Sequence, residues 1–360
     1  MKRRPYYIYI PTLKGRSGGI RVLLKLCRML RDIGYAASIA VPSARMKTIG
    51  FEGMDLPLLD ADSVFDDLRA GLQPIAVYPE VVRDNPLNAP TVARYVLNWP
   101  GVLGGDSTFS SDELVWGYSQ TLCDSIAGSW LLHIPVVDFS VYYDREPLAR
   151  PGSCFYAAKF RRLGGKPFGL PPDCTEILPV GAGGQSPAEI AELFARCEAL
   201  YVFEDTALSL EAALCGCPTL FVPNEIFPTE FGGQEYGIKP ARIDDADAFF
   251  KAAANMRVVR ARLPELIAAA RFAVKDFVAM TQSAQPAPRT PRLIVARPDD
   301  ASLSIKECLH FVAGGLRYGL SAQARMARIA ELTRLRFTLG KRTGSSDRSR
   351  TTLRVKYAVD

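Results

Sequence analysis

Residues 6–41 read as strand, glycine loop, helix and strand in immediate succession, and that order leaves few folds open. Tyr6-Tyr-Ile-Tyr-Ile10 is a short run of β-type residues, and Gly15-Arg-Ser-Gly-Gly19 is a loop. Ile20, Leu23, Leu24, Cys27, Leu30 and Ile33 then recur at helical spacing. Gly34 stands where a helix C-cap belongs, and Ala36–Val41 is the next strand. This order opens an α/β domain built on a parallel sheet. Further strands are expected at Pro74–Tyr78, Val92–Leu97 and Ile134–Phe139.

A second α/β series begins after the interruption Arg145-Glu-Pro-Leu-Ala-Arg-Pro-Gly152. Cys154–Ala158 and Thr175–Pro179 read as strands. Ser186-Pro-Ala-Glu189 is a helix start, with an N-cap Ser, Pro at the first position and Glu at the third. That helix turns Ile190, Leu193, Phe194 and Cys197 inward. Leu200–Phe203 is the next strand, Thr206 is expected to cap a helix ending near Gly216, and Thr219–Val222 is a further strand. A last amphipathic helix is expected from Pro264 to Met280. The chain has 360 residues, more than one core usually serves, and divides into domains at 1–147 and 148–282 with a linker and basic tail at 283–360.

Charge is unevenly placed. Residues 285–360 hold fifteen Lys and Arg against six Asp and Glu, so the net charge of +6 belongs to the tail. The rest offers no nucleic-acid footprint. Leu303–Phe337 has helical spacing with Arg and Lys interleaved, which suits an anionic membrane surface. No apolar run reaches the roughly eighteen residues of a spanning helix. The apolar stretch after Met1-Lys-Arg-Arg-Pro5 is too short for a signal peptide, so a cytoplasmic location is expected. The eight cysteines lack zinc spacing and read as small, buried, reduced side chains.

The segment Tyr201-Val-Phe-Glu-Asp-Thr-Ala-Leu-Ser-Leu-Glu-Ala-Ala-Leu-Cys-Gly-Cys-Pro218 carries the chemistry. It sets Glu204 and Asp205 at the carboxyl end of a strand, then Thr206 at a helix start, then Glu211 one to two turns on. Ligands of open α/β sheets bind at such strand ends. Free backbone N–H groups at a helix start suit a diphosphate, and a carboxylate farther along can accept from two sugar hydroxyls. Asp60-Ala-Asp62 is a D-x-D pair, but N-capping of the helix at Ser63 explains it, and no metal site is expected. The loop with Gly181, Gly183 and Gly184 lacks the Lys-Ser or Lys-Thr of a phosphate-binding P-loop.

The segment resembles the donor-site motif of retaining GT-B glycosyltransferases of the bacterial polysaccharide-synthesis type. In that motif two acids separated by seven precede a small-residue stretch ending in Gly-x-Pro. Glu211-Ala-Ala-Leu-Cys-Gly-Cys-Pro218 matches its second half, whereas the first acid would fall on Phe203, with Glu204 and Asp205 one and two positions later. The resemblance implies an α/β fold of two Rossmann-like domains facing each other across a cleft, with the basic helical tail appended. It implies sugar transfer from a nucleoside diphosphate-sugar to a hydroxyl of a saccharide or lipid-linked acceptor, with retention and with neither metal nor cofactor. It also implies roles for single residues. Glu204 or Asp205 supplies the displaced acid, and Lys159 faces the donor phosphates, with Arg161 and Arg162 as alternatives. Glu211 and Thr206 belong to the donor site, which the Gly18-Gly19 loop faces and Glu235-Tyr-Gly237 closes over. Glu80, Asn85, Asn98 and His133 line the acceptor side. Two other readings stay open from sequence: a sugar-nucleotide epimerase, and a non-catalytic sugar-binding scaffold of the same fold.

Overall fold

The computed structural model describes residues 2–12, 17–42, 48–145, 150–178, 184–227 and 233–291, with two short strands at 336–338 and 354–356. The tail helix expected at 303–337 therefore falls almost wholly outside the described residues, as do Gly15, Gly181 and Gly183.

The first sheet contains β1 (Tyr6–Tyr9), β2 (Ala37–Ala40), β5 (Ile75–Pro79), β6 (Thr91–Val96), β7 (Leu114–Gly117) and β8 (Trp130–Leu131). Its order is β2-β1-β5-β6-β7-β8, and every pair is parallel. β1 is followed by α1 (Gly18–Asp32), whose Leu23, Leu24, Cys27 and Leu30 are buried against the sheet. Gly34 ends α1 at φ +83°, a left-handed angle that costs a residue without Cβ little. β3 (Thr48–Phe51) and β4 (Met54–Pro57) form an antiparallel hairpin not anticipated from sequence. α2 (Ala61–Arg69) follows, with the Asp60 carboxylate accepting from the Ser63 N–H at 2.8 Å, as an N-cap should.

The strand expected at Ile134–Phe139 is absent. Leu132, Ile134 and Val136 nevertheless belong to the core. Pro135 has no N–H to give a ladder, and the segment runs on unpaired beyond the edge strand β8.

The second sheet contains β9 (Gly152–Tyr156), β10 (Thr175–Glu176), β11 (Cys197–Val202) and β12 (Thr219–Phe221), in the parallel order β10-β9-β11-β12. α4 (Ala158–Arg162) follows β9. α5 (Pro187–Arg196) starts with the full capping box of Ser186 and Glu189. Cys197 is buried as expected, but as the first residue of β11 rather than as part of α5. α6 (Leu208–Leu214) starts later than expected. Ala207 is its N-cap residue, and the Thr206 Oγ1 instead accepts from the Leu208 N–H at 3.3 Å in the turn before it.

The last helix, α7 (Ala248–Ser283), begins well before Pro264. Val259 and Leu263 belong to the second domain's core, while Val274, Phe277 and Val278 belong to the first. Pro264 removes one intrahelical hydrogen bond near this passage between cores. At the far end, the Tyr6 hydroxyl and Thr281 Oγ1 are 2.7 Å apart, and the Arg4 guanidinium donates to the carbonyls of Thr281 and Ala284. The helix thus ties the second domain to the start of β1. The chain thus holds two Rossmann-like units, each with its own parallel sheet. No helix among the described residues is long and apolar enough to cross a membrane.

Candidate functional site

A parallel sheet opens its ligand crevice at the carboxyl ends of the strands where strand order reverses. In the first sheet the chain runs from β1 outward to β2, then returns to β5 on the other side of β1. Glu80 directly follows β5, and Gly18 and Gly19 begin α1 after β1. In the second sheet the reversal lies between β9 and β11. Lys159 follows β9, and Glu204, Asp205 and Thr206 follow β11. The two reversal points face each other. A Cβ added at Gly18 would lie 3.4 Å from the Ala207 Cβ of the other domain. Arg21 of α1 pairs with Glu211 of α6. The Lys159 ammonium acts electrostatically on the Glu80 carboxylate.

Glu80 is 3% exposed. Its carboxylate accepts from the Leu97 N–H at 2.8 Å and from the Asn98 backbone. Burial nevertheless outweighs these bonds and Lys159, and pushes its pKa up to about 7. A raised folded pKa means that the fold favours the protonated acid. Glu80 therefore contributes stability fully below its unfolded pKa and loses that contribution as pH rises through about 7. Between about pH 4.5 and 7, the parent should lose on the order of 3 kcal/mol that Glu80→Gln does not lose. Denaturant unfolding of both proteins across that range checks this, and parallel curves would refute it.

On the opposite side, Glu204 is fully buried. Its Oε2 accepts from the Phe160 N–H at 2.6 Å, at the start of α4, and its Oε1 has no partner among the described residues. Burial raises its pKa, with Lys159 acting the other way. Asp205 is also buried, and its carbonyl accepts from the Lys159 ammonium. Phe203, at the position where the motif expects an acid, stacks on Phe160 with ring centroids 5.1 Å apart. That position faces the core. Glu211 is buried, with Arg21 and Tyr142 both bonded to its carboxylate. Burial raises its pKa and Arg21 opposes the shift.

Farther along the same face, the His133 Nδ1 sits 3.0 Å from the Tyr118 carbonyl, so this nitrogen carries the proton. Burial lowers the pKa of the ring, with Glu235 opposing, which favours the neutral imidazole with Nε2 as acceptor. Glu235 reaches from the second domain, and its Oε1 accepts from the Gln120 N–H at 2.6 Å, at the start of α3 (Gln120–Asp124). Tyr236 stands edge-on to His133 at 5.8 Å. Neither His133 Nε2 nor Glu235 Oε2 has a partner among the described residues.

Of the other expected residues, Asn85 and Arg161 are engaged elsewhere, while Asn98 and Arg162 adjoin the group. Asn85 is used within its own turn, accepting from the Tyr78 hydroxyl and the Ala89 N–H and donating to the Ala89 carbonyl. Asn98 is buried beside Glu80, and its Oδ1 accepts from the Trp99 N–H at 2.8 Å. Arg161 turns outward to a bidentate pair with Glu176 at 2.7 and 3.0 Å. Arg162 is exposed but close enough to Glu204 to act on its charge.

Sequence reasoning missed Arg21, Tyr142 and Arg94. Arg94, in β6, is 1% exposed and paired with Glu113 at 2.8 Å. It donates to the carbonyls of Val82 and Asp84, which lie just beyond Glu80. An arginine amid the apolar run 91–97 was the one available signal for it.

No protein-family model matches the chain, and no curated protein sequence matches it. Solved structures to which it is similar include the glycosyltransferase SnogD from Streptomyces nogalater, 14% identical over 78% of this chain and 100% of that one, with a TM-score of 0.39. The catalytic domain of starch synthase IV from Arabidopsis thaliana bound to ADP and acarbose is 11% identical over 79% and 100%, with a TM-score of 0.42. The glycotransferase of kitacinnamycin is 14% identical over 79% and 100%, with a TM-score of 0.41.

Proposed function

We propose that this chain is a glycosyltransferase that moves a sugar residue from a nucleoside diphosphate-sugar to an acceptor hydroxyl. The observation that carries this reading is the set of orphaned acceptors on the faces between the sheets: Glu204 Oε1, Glu235 Oε2 and His133 Nε2. An unsatisfied buried polar atom costs about 1–3 kcal/mol. All three of these atoms accept, and a sugar ring is a dense array of O–H donors. Lys159, between the two reversal points, supplies the positive charge that a leaving diphosphate needs, without an obligatory metal. The acceptor is a saccharide or a lipid-linked saccharide in cell-surface polysaccharide or glycolipid synthesis. The basic tail at 285–360 would hold the enzyme at an anionic membrane surface.

The test is release of nucleoside diphosphate from UDP-glucose, GDP-mannose and dTDP-rhamnose, each supplied singly with a mixed glycolipid extract as acceptor. No release from any of them would reject the reading. Glu211→Gln should then lower kcat/KM for the active donor roughly ten- to hundredfold. A charge-assisted hydrogen bond contributes on the order of 1.5–3 kcal/mol, and about 1.4 kcal/mol is a factor of ten. Unchanged kcat/KM would place the donor elsewhere.

A further inference from the structure

We propose that Arg21 competes with the donor for Glu211. An ion pair between the two domains covers this carboxylate in the donor-free chain, and the ribose of an incoming nucleotide must displace the guanidinium to reach it. This rests on the glycosyltransferase reading and adds to it a residue that sets how tightly the nucleotide is held.

The buried acceptors of the site are not alike. Glu204, Glu235 and His133 each keep an atom without a partner among the described residues. Glu211 is instead taken from two sides. The Arg21 guanidinium, carried by α1 of the first domain, pairs with its Oε1. The Tyr142 hydroxyl, part of the second domain's core, donates to the same carboxylate. The Glu211 side chain is left only 2% exposed. A carboxylate has lone pairs enough for a ribose diol as well. At that exposure, however, no approach is open while the guanidinium stays in place.

Arg21 is placed to let go. Its side chain is 18% exposed, so it reaches water where Glu211 does not. Its other bond, to the Val136 carbonyl, is long at 3.3 Å. Glu211 has no such retreat, because a buried carboxylate without a partner is costly. Two ribose hydroxyls would replace the lost donor. The pair also lies where the domains touch, three residues beyond Gly18, whose added Cβ would meet the Ala207 Cβ at 3.4 Å. Whatever the pair contributes to holding α1 against α6 is therefore forfeited when the nucleotide binds, and affinity falls by the same factor.

Titration calorimetry of the full chain with UDP, GDP, ADP and dTDP, each alone, provides the test. Arg21→Met should bind the recognised nucleotide about 5- to 50-fold more tightly than the parent, an ordinary coupling between two sites. Arg21→Lys keeps the charge without the planar fork and should fall between them. In a Glu211→Gln background, Arg21→Met should leave affinity nearly unchanged, because the contested charge is gone. If Arg21→Met melts early, Arg21→Gln, which can still donate to the Val136 carbonyl, carries the same comparison. Affinity equal to or weaker than the parent's overturns the proposal, since Arg21 would then be a structural tie or itself a nucleotide ligand. A gain that persists in the Glu211→Gln background overturns it as well, because it would not act through that carboxylate. Binding of none of the four nucleotides, by parent and variants alike, rejects the glycosyltransferase reading, and the competition falls with it.

Discussion

Arg94→Met should lower the unfolding free energy by about 3–5 kcal/mol, the loss expected when one partner of a buried ion pair is removed. Small domains are stable by only about 5–15 kcal/mol in total, so the loss is a large share. Arg94 makes two bonds to the Glu113 carboxylate at 2.8 Å each, while its ring neighbours Tyr78 and Phe109 lie at 5.3 and 5.4 Å. Methionine fills much of the stem's volume but leaves Glu113, whose side chain is 8% exposed, charged and unpaired. It also leaves the carbonyls of Val82 and Asp84 without their donor. The double variant Arg94→Met/Glu113→Leu removes the stranded charge and should recover a substantial part of the loss. By contrast, Arg28→Met breaks a partly exposed helical pair with Asp32 and a bond to the Glu52 carbonyl, and should cost less than about 1 kcal/mol. Urea unfolding of the four proteins decides the matter. An Arg94→Met loss no larger than that of Arg28→Met would mean that the turn carrying Glu80 is not held by Arg94.

The parts of the fold legible in the sequence are those set by neighbours in the chain. The capping box of Ser186 and Glu189 closes within four residues, so it could be read directly. The same holds for Gly34 at the end of α1 and for the apolar stripe of that helix. The β3–β4 hairpin escaped because its turn uses Glu52 at φ +48° before Gly53 at φ +74°, and glutamate does not advertise a left-handed angle. α7 escaped in its first half because it serves two cores in succession. Its inward face changes partner near Pro264, and Phe249 and Phe250 are exposed at its start, so no single stripe runs its length.

The site divides in the same way. The positions of Glu204, Asp205 and Lys159 after strands were legible because the apolar pattern marks β9 and β11, and Glu211 lies in the helix that follows. Arg21 could not, since its partner Glu211 lies 190 residues away and one turn of α1 looks like any other solvated face. Glu80 could be noticed among prolines, yet its main chain packs against Gly105, a loop glycine with nothing local to mark it. What the structure adds is therefore mostly long-range: which charges meet across the two sheets, and which buried atoms are left for a ligand.

A large kinetic effect is expected at Lys159. Lys159→Met should reduce kcat with the active donor by about 10²- to 10³-fold, the loss typical when a preorganised group that stabilises developing charge is removed. The ammonium donates to the Asp205 carbonyl, lies 5.9 Å from the Phe227 ring, and acts on both Glu204 and Glu80. It is thus a cation set beside two buried carboxylates, which by themselves would repel a diphosphate. In the proposed reaction negative charge accumulates on the leaving oxygen as the bond to the anomeric carbon breaks, and Lys159 is the cation proposed to meet it. The effect should fall mainly on kcat, because that charge is greatest in the transition state rather than in the bound donor. Lys159→Arg keeps the charge but not the compact shape, and should fall between the parent and the methionine variant. Arg161→Met is the comparison that locates the effect. Its guanidinium is already spent on Glu176 at the surface, so its turnover should stay near that of the parent. Steady-state rates for the four proteins, taken at saturating donor, measure the difference. If Arg161→Met loses turnover and Lys159→Met does not, the phosphates lie on the outer side of α4 and the cleft between the two reversal points is not the donor site.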